Sequence, residues 1–430
     1  YQSIHTECAD PQAGKVKVTN RYQFKSLDFV DLHWTLRADG EDIETGVVSD
    51  LWLKPGETAE VTIPFISFDP LPGIEYYLDI GYLTNREEPL VPEGYEVAWE
   101  QFPFMLVGVV KTVDFSSMPS LSFTEDAETI QVGGEFGQVR ISRITGDMDS
   151  LVYKEKEYLV QGPMPDFWRA PTDNDFGSGM PERLAVWKTA GLNRKIERVT
   201  VSQIFDHEVQ VEVASVLPVA DSRYFTTYRI LGSGDIFVRN TFLPGDGELP
   251  ELPRIGMTLL LPERFSSVTW YGRGPHESYC DRKTGARVGV YNAMVMDLYH
   301  PYIRPQENGN RTDTRWVAFT AEDGSGLLAV GMPLFDFSAF HFLNADFDPG
   351  PKKAQRHTYH LKWRPLVSVD LDYGQMGVGG DTSWGERAKP HPAYTLYPKE
   401  YSYTFRLRPF AADDAPPREL AKLRFDPRIP

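Results

Sequence analysis

Apolar and polar positions alternate in short runs along the first hundred or so residues, as in Lys15-Val16-Lys17-Val18 and Leu32-His33-Trp34-Thr35-Leu36. A period of two puts one set of side chains on one face of an extended chain, so each run predicts a half-buried strand. Turn signals at Asp39-Gly40, Pro55-Gly56 and Pro72-Gly73 separate the runs, and the last strands are expected from Tyr95-Glu96-Val97-Ala98-Trp99 to Phe104. About six or seven strands at this spacing predict an immunoglobulin-like β-sandwich. It is assigned to residues 1–110, and a less patterned stretch from Lys111 to Ser120 reads as a linker.

The alternation resumes in residues 121–430, in Val209-Gln210-Val211-Glu212-Val213, Leu366-Val367-Ser368-Val369-Asp370-Leu371 and Tyr401-Ser402-Tyr403-Thr404-Phe405. With no repeating unit, roughly 300 residues of strand predict one large sandwich and not a propeller. One short helix is expected where Pro181 can open it, Leu184, Trp187 and Lys188 follow at helical spacing, and Gly191 can close it.

Composition agrees with an all-β chain. Its 430 residues suffice for roughly two or three domains, and 13% aromatics with 35 glycines and 33 prolines suit short strands and turns better than long helices. A net charge of −17 repels nucleic acid and anionic membranes, which leaves a neutral ligand such as a sugar as the fitting partner. Cys8 and Cys280 lie too far apart in sequence to support a disulfide framework or a zinc site. No apolar run approaches the roughly 20 residues of a membrane helix, so the chain is expected to be soluble. It opens at Tyr1 with no signal peptide, as an excised segment or a processed product would.

Four blocks interrupt the pattern with dense Gly, Pro, charge and aromatics. They are Asp166-Phe167-Trp168-Arg169-Ala170-Pro171-Thr172-Asp173-Asn174-Asp175-Phe176-Gly177, Trp270-Tyr271-Gly272-Arg273-Gly274-Pro275-His276-Glu277-Ser278-Tyr279, Tyr302-Ile303-Arg304-Pro305-Gln306-Glu307-Asn308-Gly309 and Met376-Gly377-Val378-Gly379-Gly380-Asp381-Thr382-Ser383-Trp384. Loops of this kind are where function concentrates. In this order the blocks resemble the C-terminal region of the glycoside hydrolase family 2 β-galactosidases, and the resemblance extends to the first domain through Leu32-His33-Trp34 and the Trp99 strand.

The resemblance implies an immunoglobulin-like fourth domain followed by a galactose-mutarotase-like β-supersandwich. It places the family's two catalytic glutamates, with its magnesium and sodium ligands, in upstream domains with no counterpart here. The segment alone is then expected to bind no cofactor and to catalyse nothing. Its implied partners are the upstream (β/α)8 barrel and N-terminal domains, a β-galactoside, and further copies in a homo-oligomer, in a bacterial cytoplasm or periplasm. From the last domain the family contributes a tryptophan that stacks on the sugar, matched by Trp384. A flat ring suits the C–H face of an uncharged sugar. Asp381, Arg273, Glu277, Glu307 and Asn308 are expected to support the loops around it.

Other residues offer chemistry, each with a plainer use. Glu277 and Glu307 offer two carboxyls where a retaining glycosidase needs a pair about 5 to 5.5 Å apart, but Arg273 and Arg304 stand near them in sequence and point to loop bracing. Asp173 and Asp175, with Asn174, could ligate a cation through oxygen, although Asx side chains more often cap their own turns. His357 and His360, if on a strand, face opposite sides and cannot share a metal. Gly272-Arg273-Gly274 lacks the helix a dinucleotide motif requires, and Asn310-Arg311-Thr312 is a glycosylation sequon only by pattern. Two rival functions remain at this point: a stand-alone carbohydrate-binding or mutarotase-like protein, which needs its own acid and base, and a purely structural module.

Overall fold

Period-two alternation becomes sheet wherever the sequence carries it strongly, in a computed structural model that describes residues 1–66, 69–104 and 112–425. The chain divides into two units, Tyr1–Thr112 and Val113–Pro430. The boundary drawn at residue 110 and the linker's first residue, Lys111, lie outside the described residues.

The first unit is an immunoglobulin-like sandwich of two antiparallel sheets. One holds Ile4–Asp10, Lys15–Asn20 and Thr58–Thr62; the other holds Glu41–Val48, Val30–Ala38, Tyr76–Thr84 and Glu96–Phe104, in that order. Ile4–Asp10 adds a strand ahead of the first alternating run, which begins at Lys15. Alternate residues Val16 and Val18 from one sheet, and Leu32, Trp34 and Leu36 from the other, share one buried core with Leu78, Ile80 and Tyr82. Gly46 opposes Trp34 across the strands, and a Cβ there would stand 2.6 Å from the indole ring, so only glycine leaves the ring its place.

The second unit contains a five-stranded antiparallel meander, Leu121–Glu125 to Lys156–Glu157, and a branched sheet of 12 strands. Apolar residues of both, among them Val132, Ile141, Val211, Val238, Leu259 and Val369, form one contiguous core. Within the large sheet, Gln161–Asp166, Arg254–Pro262, Leu366–Gln375 and Gly326–Phe340 are neighbours. The last is 15 residues long, and its two halves pair with different partners: residues 326–332 with Tyr401–Phe410, and 336–340 with Leu366–Gln375.

Local expectations needed correction. The single helix is two short pieces, Met180–Arg183 and a 3-10 turn at Ala185–Trp187, because Leu184 and Trp187 are fully buried and the chain bends to put them there. Asp173–Gly177 is helical as well. Much of the Trp270 block is strand, Ser267–Gly274, and not loop. His357 caps and His360 ends a 3-10 turn over Thr358–His360, so their rings lie 6.0 Å apart and nearly parallel, not on opposite faces of a strand.

Candidate functional site

The strand Leu366–Gln375 is buried on both faces, which alternation alone would not predict. Val367, Val369 and Leu371 enter the apolar core, while Ser368, Asp370 and Asp372 point the other way and are buried too. Residues directly opposed across antiparallel strands share a face, and the register runs Asp166 to Gly256, Gly256 to Asp372, and Asp372 to Asp336. A band of carboxylates therefore crosses four neighbouring strands.

Arg254 neutralises much of that band. Its guanidinium lies 2.8 Å from Asp370, 2.9 Å from Asp372 and 3.4 Å from Asp166. Burial raises the Asp372 pKa well above the usual range. Burial acts on Asp370 in the same direction, but Arg254 outweighs it and holds that carboxyl low. Gly256 has no side chain because a Cβ would fall 1.7 Å from the Asp372 carboxylate. At the strand's end Gln375 donates toward Glu307 at 3.4 Å, and Glu307 also accepts from the Tyr279 hydroxyl at 3.1 Å. Burial pushes the Glu307 pKa up to about 7, and burial together with Asp313 does the same for Asp336, also to about 7.

Directly after Gln375 the chain enters the loop that carries Trp384. Arg169, fully buried, donates to the carbonyls of Met376 and Gly377, and bonds Asp175 at 3.0 and 3.1 Å. Asp281 accepts the Gly379 N–H at 2.9 Å. Asn174 donates to the Thr382 carbonyl at 3.1 Å, and Gly385 N–H donates to Gly177 O at 2.9 Å. Gly177 is pressed against this loop, since a Cβ there would lie 2.0 Å from Ser383 O. Held on these contacts, Trp384 is 73% exposed. A large apolar ring left in solvent on a braced backbone can receive the apolar face of a ligand.

Asp381 sits on the same loop, paired with His391 at 2.9 Å, whose hydrogen bond holds its carboxyl below the usual range. Glu277 lies at a loop junction, where it accepts from Arg282, the Tyr302 hydroxyl and, at 2.7 Å, the Gly309 N–H. Arg273 instead pairs with Asp313, and Arg304 with Asp173, so the sequence-adjacent pairings are wrong. Asn308 is buried, accepting from His300 N–H and donating to Gln306 O, both at 3.0 Å.

Asp173 and Asp175 do not fit a cation. Asp175 forms a reciprocal cap with Thr172 and faces Arg169. Asp173 faces Arg304 and Lys353, whose hydrogen bonds outweigh the effect of burial and hold its pKa low. Positive groups already stand where an ion would bind. Among the described residues no group of three or more His, Cys, Asp or Glu could hold a metal, and Cys8 and Cys280 are free thiols. Asn310 is 1% exposed and donates to Ser278 O, so the sequon is inaccessible.

Arg169, Asp281 and Arg254 are the residues that sequence reasoning did not assign, and Asn174, weighed there only as a cation ligand, holds the loop at Thr382 instead. Polar residues at every second position of an otherwise apolar strand, Ser368, Asp370 and Asp372, were the available signal that this sheet face needed a buried cation.

Two family descriptions match the sequence: "Beta galactosidase small chain" over residues 133–407 and "Beta-galactosidase, domain 4" over residues 16–105. A β-galactosidase of Priestia megaterium is 35% identical over 411 residues, covering 95% of this chain and 39% of that protein. One from Lactobacillus delbrueckii subsp. bulgaricus is 32% identical over 397 residues, covering 92% of this chain and 37% of its own length. The chain thus spans well under half of these relatives. Among solved structures, a galactose 1-epimerase from Lactobacillus acidophilus aligns over 69% of this chain and 99% of its own, with 7% identity and a TM-score of 0.40.

Proposed function

Because the chain belongs to the β-galactosidase small-chain family, we propose that it is the C-terminal, non-catalytic segment of a retaining β-galactosidase and lends Trp384 to a sugar site completed by upstream domains. The observation that carries this reading is the 73% exposure of Trp384 on a backbone fastened by Arg169, Asp281, Asn174 and Gly177. Nothing in apolar packing calls for a braced, solvent-facing indole, whereas a sugar does. Its C–H face covers the ring while its hydroxyls stay wet.

In this reading the two glutamates that cleave a terminal β-galactoside, and the magnesium and sodium the resemblance implies, belong to the upstream domains. The acids in this chain's best loops are engaged elsewhere. Glu277 is tied to Arg282, Tyr302 and Gly309, and Glu307 is buried against Tyr279 and Gln375. Scaffold surface for the barrel and for subunit contacts is the chain's second contribution.

The test is activity on a chromogenic β-galactoside, first with this chain alone and then with the upstream portion added or fused. No turnover alone and turnover in the joined enzyme are expected; turnover by the isolated chain refutes the reading. In the joined enzyme Trp384→Ala is expected to raise KM several-fold, since a stacked aromatic contact contributes on the order of 1 kcal/mol beyond burial. An unchanged KM removes Trp384 from the sugar site.

A further inference from the structure

We propose that Asp281 is a positioning residue for Trp384, an inference that rests on the reading of Trp384 just given. The Trp384 loop leaves the sheet through Gly377-Val378-Gly379-Gly380, a glycine-rich base with little stiffness of its own. Asp281 is planted against that base. Its Oδ2 accepts the Gly379 N–H at 2.9 Å, and a Cβ at Gly377 would stand 2.7 Å from the same oxygen. Glycine there is the condition for the carboxylate to approach. The other oxygen, Oδ1, is buried without a hydrogen-bond partner among the described residues. An unpaired buried oxygen is destabilising by itself, so fold stability alone does not account for a carboxylate here.

Asp281 is itself held from behind. It follows Ser278 and Tyr279, whose backbone is pinned by Ser278 N–H to Asn310 O at 2.7 Å, and by bonds between Tyr279 and Arg282 in both directions. Cys280 Sγ also donates to Gln375 O at 3.3 Å. The clamp therefore ties Gly379 to a fixed segment, two residues beyond the point where Arg169 holds the Gly377 carbonyl. Beyond Gly379 the loop is closed on itself by Thr382 N–H to Arg387 O at 3.2 Å and by the Asp381–His391 pair, so a shift at its base carries the indole with it. Removing the clamp deletes no group that touches the sugar but blurs where the ring stands.

The experiment compares kinetics of the joined enzyme with Asp281→Ala, Asp281→Asn, Trp384→Ala and the double variant Asp281→Ala/Trp384→Ala. Asp281→Ala is expected to raise KM several-fold with kcat little changed. Asp281→Asn, whose amide oxygen still accepts the Gly379 N–H, should restore KM close to the starting value. The double variant should be no worse than Trp384→Ala alone, because two residues acting through one contact are not additive. If Asp281→Ala does not fold, Asp281→Ser, too short to reach the amide, carries the same expectation. A raised KM for Trp384→Ala with unchanged KM for folded Asp281→Ala overturns the inference and leaves the stacking reading standing. Multiplying effects in the double variant, or no rescue by Asp281→Asn, overturn it too. No effect of Trp384→Ala defeats the stacking reading, and the inference falls with it.

Discussion

Glu307→Gln separates two meanings of a carboxyl whose pKa is raised to about 7. Such a shift is what a general acid needs, yet here its first cause is burial, and the group is only 8% exposed behind Tyr279 and Gln375. In the unfolded chain the same carboxyl titrates near 4.5. The folded state thus keeps a proton that the unfolded state has already released between about 4.5 and about 7. The contribution is full below the lower value and is lost as pH rises through the upper one. At 1.36 kcal/mol per pKa unit, the gap corresponds to about 3 kcal/mol of stability lost across that window. Gln does not titrate, and its amide oxygen can still accept from Tyr279. Urea unfolding of both proteins at pH 5, 6, 7 and 8 should show the variant gaining on the parent by up to about 3 kcal/mol as pH rises. Asp336 shifts in the same direction in both proteins and cancels from the difference. Parallel stability curves would falsify the assignment, and loss of turnover in a joined enzyme whose fold is intact would make Glu307 catalytic after all.

Arg254→Met should be among the most damaging single changes in the second unit. It strands Asp166, Asp370 and Asp372 without their buried counter-charge, at a cost of about 3 to 5 kcal/mol, read as a lowered urea midpoint. Wild-type stability in that variant would show that the carboxylates are neutral without Arg254. Trp187→Ala empties a fully buried site beside Phe167 and Phe242 and should cost about 3 to 5 kcal/mol. Denaturant unfolding checks it, and a loss below 1 kcal/mol would contradict the packing described.

The strands that were legible each carried their own local pattern. Lys15–Asn20, Val30–Ala38, Glu208–Val216 and Tyr401–Phe410 all alternate, and all are strands. The helix near Pro181 was legible only as a place, since its residues obey the core and not the helical period. The Trp270 block misled because Gly272 and Gly274 look like loop punctuation. In the sheet they do a different job: a Cβ on Gly272 would strike Thr314, and one on Gly274 would strike Tyr291. Glycine there marks close approach between strands.

The candidate site divides along the same line. Trp384 could be read from its flanks, because two glycines and three small polar residues cannot build a core around an indole, and exposure follows. Its supports could not, because each arrives from far away in the chain. Asp281 reaches Gly379 across 98 residues, and Arg169 reaches Gly377 across 208. The mistaken partners show why distance in sequence fails. Arg273 and Glu277 are four apart, a spacing that pairs side chains on a helix, but Arg273 sits on a strand. There its neighbours are cross-strand residues, and Asp313, on the paired strand Arg311–Thr320, receives it. Glu277, past the strand's end, turns to Arg282 and the Tyr302 loop instead. Charge placement here follows sheet register on the strands and loop packing off them, so the acids that look available in the sequence are those the fold has already matched to a base, buried, or both.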